Sequence, residues 1–74
     1  MNTPRLYQIG QFSTLTRITV KALRHYHELG ILSPVHIDEQ SGYRYYSEKQ
    51  LEKAHTIQTL KALKFSLKEI AEIM

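Results

Sequence analysis

The chain has 74 residues, no cysteine and a formal net charge of +3. A chain this short forms one domain, here residues 1–74, and buries only about 60% of its unfolded surface, so little core is available for an enclosed catalytic cavity. The absence of cysteine excludes disulfides and thiolate zinc clusters, and it agrees with a cytoplasmic location. Apolar runs are only a few residues long, far short of the roughly 20 that cross a bilayer, so we predict neither a membrane segment nor a signal peptide.

Positive charge is concentrated near the N-terminus. The first 27 residues contain Arg5, Arg17, Lys21 and Arg24 and no acidic residue. Later lysines alternate with glutamates, as on an ordinary solvated helix. A locally cationic segment is compatible with nucleic-acid binding and equally with a scattered soluble surface, so charge alone leaves both interpretations open.

The N-terminal part predicts two helices joined by a tight turn. Ile9, Phe12 and Leu15 repeat at three-residue spacing, which indicates a short first helix. Residues 16–18 separate it from the second helix. The arrangement is that of a helix-turn-helix.

The second helix has recognisable start and stop signals. Thr19 is a favourable N-cap, and Ile18 and Leu23 occupy the two positions of a hydrophobic staple. We expect the helix to run to about Leu29 and to stop at Gly30 in a left-handed conformation.

Residues 35–37 and 43–46 are β-prone and flank a polar, glycine-containing connection at 38–42, which predicts a hairpin. This hairpin is the candidate wing. After it, Ser47 and Gln50 form a capping-box pattern, so a third helix should begin at Glu48. Its apolar residues recur every three positions and drift round the helix by about 60° per step, which predicts packing on more than one side. They are Leu51, Ala54, Ile57, Leu60 and Leu63.

A second capping box, Ser66 with Glu69, predicts a fourth helix. Its apolar face carries Leu67, Ile70, Ala71 and Met74. Because that face is still in mid-pattern at Met74, we expect the sequence to be a fragment of a longer protein.

The second helix divides into an apolar and a cationic face. Lys21, Arg24 and Glu28 lie opposite an apolar arc. A recognition helix needs this division, because one face anchors it and the other presents donors to base edges and phosphates. Many solvated helices show the same pattern. The apolar arc consists of Ala22, Leu23, Tyr26 and Leu29.

The wing offers a second basic group. Alternation along the strand puts Arg44 on the face opposite Tyr43 and Tyr45, from which it would reach phosphate or the minor groove. The competing interpretation is an exposed arginine paired with Asp38 or Glu39. The tyrosines have an ordinary role as packing residues with a hydrated hydroxyl.

Metal binding and catalysis are not indicated. His25 and His27 diverge by about 200° on a helix and do not readily share one ion. No nucleophile motif is present, and a phosphate loop needs more glycine than the chain contains. We therefore predict no metal, no cofactor and no enzymatic activity.

Five motifs, spaced in order along nearly the whole chain, resemble the signature of the MerR family of bacterial transcription regulators, in particular its multidrug-responsive branch. They are YQIG at 7–10, VKALRHY at 20–26, LGIL at 29–32, SGYRYYS at 41–47 and FSLKEI at 65–70. Motifs in the right order are much more specific than one helix-turn-helix alone.

The resemblance implies a homodimer, with a dimerisation helix and an effector domain expected beyond residue 74. Such a dimer binds a pseudo-palindromic promoter with an overlong spacer and, when an effector binds, distorts it for RNA polymerase. It implies base-edge or phosphate contacts for the second helix, wing contacts, and a backbone contact near the centre of the site from the third helix. The expected DNA-contacting residues are Arg17, Thr19, Lys21, Arg24, His25, Tyr26, Tyr43, Arg44 and Lys61.

Three positions depart from the family pattern. His25 replaces the common tyrosine, which makes the position titratable, and phosphate binding is then expected to weaken at high pH. Arg17 and Lys64 stand where glycine is usual. A left-handed residue at Arg17 would cost roughly 1–2 kcal/mol unless a phosphate contact offsets it.

Two alternatives stay open. An excisionase-like protein shares the winged-helix plan but bends DNA for recombination. A protein-interaction adaptor would instead use the apolar face of the fourth helix.

Overall fold

A computed structural model describes residues 5–74. Four helices and one small antiparallel sheet confirm the predicted mainly helical, winged architecture. None of the helices in this range is long and apolar enough to cross a bilayer. In chain order the elements are β1 (Leu6–Gln8), α1 (Ile9–Thr16), α2 (Val20–Glu28), β2 (His36–Ile37), β3 (Arg44–Ser47), α3 (Lys49–Ala62) and α4 (Leu67–Ile73).

The core is centred on a stacked aromatic pair. The rings of Phe12 on α1 and Tyr46 on β3 are parallel to within 11°, with centroids 4.5 Å apart, and both side chains are fully buried. Helix α1 contacts α2, α3, β1 and β3, so this pair lies where most elements meet. The remaining core side chains are Ile18, Leu23, Tyr26, Ile31, Leu32, Ala54, Ile57 and Ile70.

The sheet has one strand more than the sequence predicted. Its order is β1-β3-β2, and the β2–β3 pair is the expected wing hairpin, with Ile37 opposite Arg44. Strand β1 pairs with the other edge of β3, with Tyr7 opposite Tyr46. Three residues give no usable alternation pattern, so only pairing with β3 defines β1 as a strand.

Predicted helix starts agree closely with the structure. The Thr19 hydroxyl oxygen accepts a hydrogen bond from the Ala22 N–H at 3.0 Å. Ser66 and Glu69 form both halves of their box, and the hydrogen bonds from Ser66 hold the pKa of the Glu69 carboxyl below its usual value.

Helix α3 begins one residue later than predicted, at Lys49. Only half of its predicted box forms among residues 5–74, since the Ser47 N–H donates to Gln50 Oε1 at 2.9 Å but the Gln50 N–H makes no reciprocal bond to the Ser47 hydroxyl.

Two apolar assignments at helix ends are wrong. Leu29, expected on the buried arc of α2, is 46% exposed, and Leu63, expected in the α3 series, is 64% exposed. Both residues follow the last helical turn, where the chain leaves the helical path and the periodicity no longer predicts direction. The expectation that α3 packs on several sides is confirmed, because α3 contacts α1, α4 and β3.

Residues with left-handed backbone conformation end three of the helices. Gly30 has φ +73°, as predicted. Lys64 has φ 74° and closes α3 in a Schellman arrangement, in which the Lys64 N–H donates to the Lys61 carbonyl and the Phe65 N–H to the Leu60 carbonyl. Among residues 5–74, Arg17, with φ 62°, and Lys64 are the two left-handed residues that are not glycine.

Lys64→Gly should stabilise the protein. Glycine removes the Cβ strain of about 1–2 kcal/mol, and its greater unfolded-state entropy offsets about half, so the free energy of unfolding should rise by about 0.5–1 kcal/mol. Urea denaturation measures it. Lys53→Gly, inside α3, is the control with the opposite sign and should lose about 1 kcal/mol. A loss at Lys64 would contradict the strain argument.

Tyr46→Phe should also stabilise the protein. The Tyr46 hydroxyl is buried without a hydrogen-bond partner among residues 5–74, and burial raises its pKa. Phenylalanine keeps the stack and removes the unpaired group, so the free energy of unfolding should rise by about 1 kcal/mol. Tyr45→Phe is the matched control, because the Tyr45 hydroxyl accepts from Gln8 Nε2 at 3.4 Å and its loss should change stability little or lower it. A clear loss for Tyr46→Phe would disprove the assignment.

Candidate nucleic-acid interface

Helix α2 presents the predicted division of faces. Leu23 and Tyr26 are buried against the body, whereas Lys21, Arg24 and His25 are exposed. The cap at Thr19 fixes where the helix starts and therefore which residues point outward. The outer face has the long donors that a recognition helix requires.

His25 has one charged neighbour on its own helix. Its Nδ1 atom lies 3.8 Å from Glu28 Oε1, with both side chains exposed. This is the only ion pair among residues 5–74, and it is charged only when the imidazole is protonated. The lysines and arginines of the described chain are therefore not neutralised by internal carboxylates.

Tyr26 and Lys61 form a contact between α2 and α3. The Lys61 Nζ donates to the Tyr26 hydroxyl at 3.2 Å and lies 5.8 Å from the centre of the tyrosine ring, which places the ammonium within cation–π distance. Tyr26 is only 2% exposed. The expected phosphate role of Tyr26 is thereby narrowed to its hydroxyl, and the evident effect of its side chain is to position Lys61.

A cleft of about 370 Å³ lies beside this contact, bounded by the α1–α2 turn, by helix α2 and by the C-terminal half of α3. Its wall includes a residue that the sequence did not indicate, Gln58, which precedes Lys61 by three positions and so shares its helix face. That spacing was the available signal. The lining residues are Arg17, Ile18, Thr19, Ala22, Tyr26, Gln58 and Lys61. We call this the Arg17–Lys61 cleft.

Arg17 lies at the turn in a left-handed conformation, at the position where the resembled family often has glycine. Its N–H donates to the Ser13 carbonyl at 2.8 Å and ends α1, while its side chain is exposed. The neighbouring Ser13 hydroxyl donates to the Ile18 carbonyl at 2.6 Å, and the Ile18 N–H donates to Thr16 Oγ1. These bonds fix the turn and, with it, the origin of the Arg17 side chain.

In the wing, Tyr43 is exposed, whereas Arg44 is more buried than the sequence predicted. Tyr43 is 55% exposed. Arg44 is half-buried, on the same strand face as the core residue Tyr46, and its Nε is buried without a partner among residues 5–74. The alternative of an exposed arginine paired with Asp38 or Glu39 is wrong, because no such pair is present in the described chain.

Asp38 is held within the hairpin instead. Its Oδ2 accepts hydrogen bonds from the Ser41 hydroxyl at 2.7 Å and the Ser41 N–H at 3.3 Å, and these bonds lower the pKa of the carboxyl. Asp38 therefore stabilises the wing turn.

A second cleft, of about 350 Å³, brings the wing to the recognition helix. Arg44 and Tyr43 line it together with Arg24 of α2. The sequence did not indicate that the two arginines share a cleft, because the contact joins segments 20 residues apart and depends on how the hairpin folds back. The remaining lining residues are Gln8, Ile9 and Gly42.

The geometry is that of a basic helix flanked by a basic wing, and comparison with known proteins identifies the family. The model of the MerR HTH family of regulatory proteins matches residues 7–74. The chain belongs to the MerR family. The predicted resemblance and fold are confirmed, as is the prediction of a DNA-binding domain of a transcription regulator.

Curated relatives of this MerR-family chain are transcription regulators. It is 42% identical over 66 residues to the multidrug-efflux transporter 2 regulator of Bacillus subtilis strain 168, covering 89% of this chain and 24% of that protein. It is 36% identical over 64 residues to the multidrug-efflux transporter 1 regulator of the same strain, covering 86% and 23%. The chain thus spans about a quarter of the length of these relatives.

Solved structures agree with the sequence comparison. The chain superposes with a TM-score of 0.83 and 44% identity on the EcmrR–DNA complex in EcmrR-RPo, determined by cryo-electron microscopy, covering 86% of this chain and 24% of that one. A MerR-family regulator from Bacillus cereus gives a TM-score of 0.83 and 36% identity, covering 93% and 51%. The winged helix-turn-helix is therefore the fold of this MerR-family domain.

Proposed function

We propose that this domain reads the operator of a promoter for a transcription regulator, with α2 in the major groove and the wing on the backbone. The single observation that carries the proposal is the exposed basic face of α2, held between two clefts that each add another cation, Lys61 on one side and Arg44 on the other. Phosphate contacts set register and orientation, while base-edge contacts supply specificity.

Different positions suit different roles. Lys21 and Arg24 are assigned to base edges or phosphates and His25 to phosphate, because they lie on the outer face of α2. Tyr43 and Arg44 are assigned to the wing contact, and the Arg17–Lys61 cleft, with Thr19 and the Tyr26 hydroxyl on its wall, to the backbone beside the helix. The structural likeness to EcmrR bound to DNA supports this set.

Family membership supports a proposal for the larger assembly. We infer a homodimer in the complete regulator, with a dimerisation helix and an effector domain beyond residue 74, that distorts promoter DNA and acts with RNA polymerase. Two half-sites joined in one dimer bind more tightly than one alone by the effective concentration of the second. A cytoplasmic location and the absence of enzymatic activity are part of the same proposal, because the curated relatives are transcription regulators.

Substitution on the outer face of α2 tests the proposal. A duplex selected by the protein from a random library serves as the probe. Lys21→Ala or Arg24→Ala should weaken binding by about 1–3 kcal/mol if a base edge is read, and should relax specificity at that base. Lys61→Ala should weaken all duplexes alike and lower the salt slope by about one phosphate contact. Fluorescence anisotropy over a salt series measures each effect.

Lys53→Ala is the control, because Lys53 is an exposed cation on α3 that lines neither cleft. The affinity of this variant for the selected duplex should match that of the wild type. Unchanged affinity in all three test variants, with folding intact by circular dichroism, would contradict the proposal.

Failure of the wild type to bind any duplex at low salt, together with a stable complex with another protein, would favour the adaptor alternative. Strong bending of DNA without sequence preference would favour the excisionase-like alternative.

A further inference from the structure

We propose that Arg17 binds a phosphate of the DNA backbone in the Arg17–Lys61 cleft, and that it is maintained there in a strained backbone conformation for this contact. The inference rests on the proposed function and assigns one contact within it. Three features carry it: the composition of the cleft, the fixed position of Lys61, and the conformation of Arg17.

The cleft has cationic and neutral donors and no acid. Arg17 and Lys61 supply charge, Gln58 supplies an amide, and none of the lining residues is a carboxylate. Thr19 accepts the capping bond from the Ala22 N–H, which leaves its hydroxyl proton free to donate. The cleft also borders the start of α2, where the positive end of the helix dipole favours an anion. An acceptor-only group such as a phosphate suits this surface.

Lys61 is already positioned for such an anion. Its ammonium is held against the hydroxyl and ring of Tyr26, and Tyr26 is itself buried in the core. One ammonium proton is used in that hydrogen bond, and two remain. Less side-chain entropy is therefore lost when a phosphate binds than for a freely moving lysine.

Arg17 adopts a conformation that favours glycine, with φ 62° and ψ 23°. The turn itself needs only the backbone, since the Arg17 N–H makes the bond that ends α1. The guanidinium makes no hydrogen bond or ion pair among residues 5–74, so nothing in the described fold compensates for the strain. Arginine presents a rigid fork of donors that matches two phosphate oxygens, which glycine at this turn would not.

Arg17→Gly separates binding from folding, because the two should change in opposite directions. The melting temperature should rise by a few degrees, on the scale of about 4–8 °C per kcal/mol for a domain of this size. Affinity for the selected duplex should fall about tenfold, the scale of one charge-assisted hydrogen bond, and the salt slope should fall by about 0.9. A merely structural residue would change only the melting temperature.

Three variants control the interpretation. Lys64→Gly relieves the same kind of strain outside the cleft, so it should raise the melting temperature without the loss of affinity seen for Arg17→Gly. Lys53→Ala removes one exposed charge outside the cleft and should leave affinity unchanged. Arg17→Lys keeps the charge without the fork, so it should retain the salt slope with an intermediate affinity.

The outcomes distinguish this inference from the proposed function. If the wild type binds the duplex and Arg17→Gly binds it with the same affinity as Lys53→Ala, the inference alone is overturned. Absence of wild-type binding to every duplex would overturn the proposed function and the inference together. Inorganic phosphate, added at the phosphate concentration of the duplex, should leave the wild-type melting temperature unchanged. Stabilisation of the wild type but not of Arg17→Gly by inorganic phosphate, with equal duplex affinity in the two proteins, would assign the cleft to a free anion and overturn the DNA assignment.

Discussion

The stack of Phe12 on Tyr46 is the interaction on which the rest of the structure depends. It joins α1 to β3, and β3 is the central strand of the sheet and one arm of the wing. Because α1 also contacts α2 and α3, this pair sets the positions of the recognition helix and the wing with respect to each other. In a domain of 74 residues, a single buried aromatic pair of this size is a large part of the core. The Tyr46 hydroxyl has no hydrogen-bond partner among residues 5–74, so packing, and not hydrogen bonding, holds the contact.

Around that core, short local signals determine where each helix begins and ends. The caps at Thr19 and Ser66 satisfy backbone donors within three residues, so their effect does not depend on distant parts of the chain. Left-handed residues then turn the chain at Gly30 and Lys64. Each of these turns directs the following element back onto the core, which is why so short a chain forms one packed unit.

Local helix geometry and tertiary contacts both position the basic side chains of the interface. The α2 face is set by helix periodicity, whereas the flanking cations are held by tertiary contacts, Lys61 by Tyr26 and Arg44 by its half-buried position on β3. Internal ion pairing among residues 5–74 is confined to His25 and Glu28. Positive charge that is not neutralised internally remains available to a polyanion, at the expense of mutual repulsion within the fold. Membership of the MerR family gives this arrangement its biological context.

The sequence by itself determined the four helices, the wing, the outward face of α2 and the left-handed conformation at Gly30, because capping, periodicity and turn chemistry act over three or four residues. The motif order also identified the family. Only the tertiary structure decided that β1 joins the sheet, that Arg44 is half-buried, and that Tyr26 holds Lys61 beside Gln58. These features depend on contacts between residues far apart in the chain, and their geometry follows from how the elements pack, which no local pattern records.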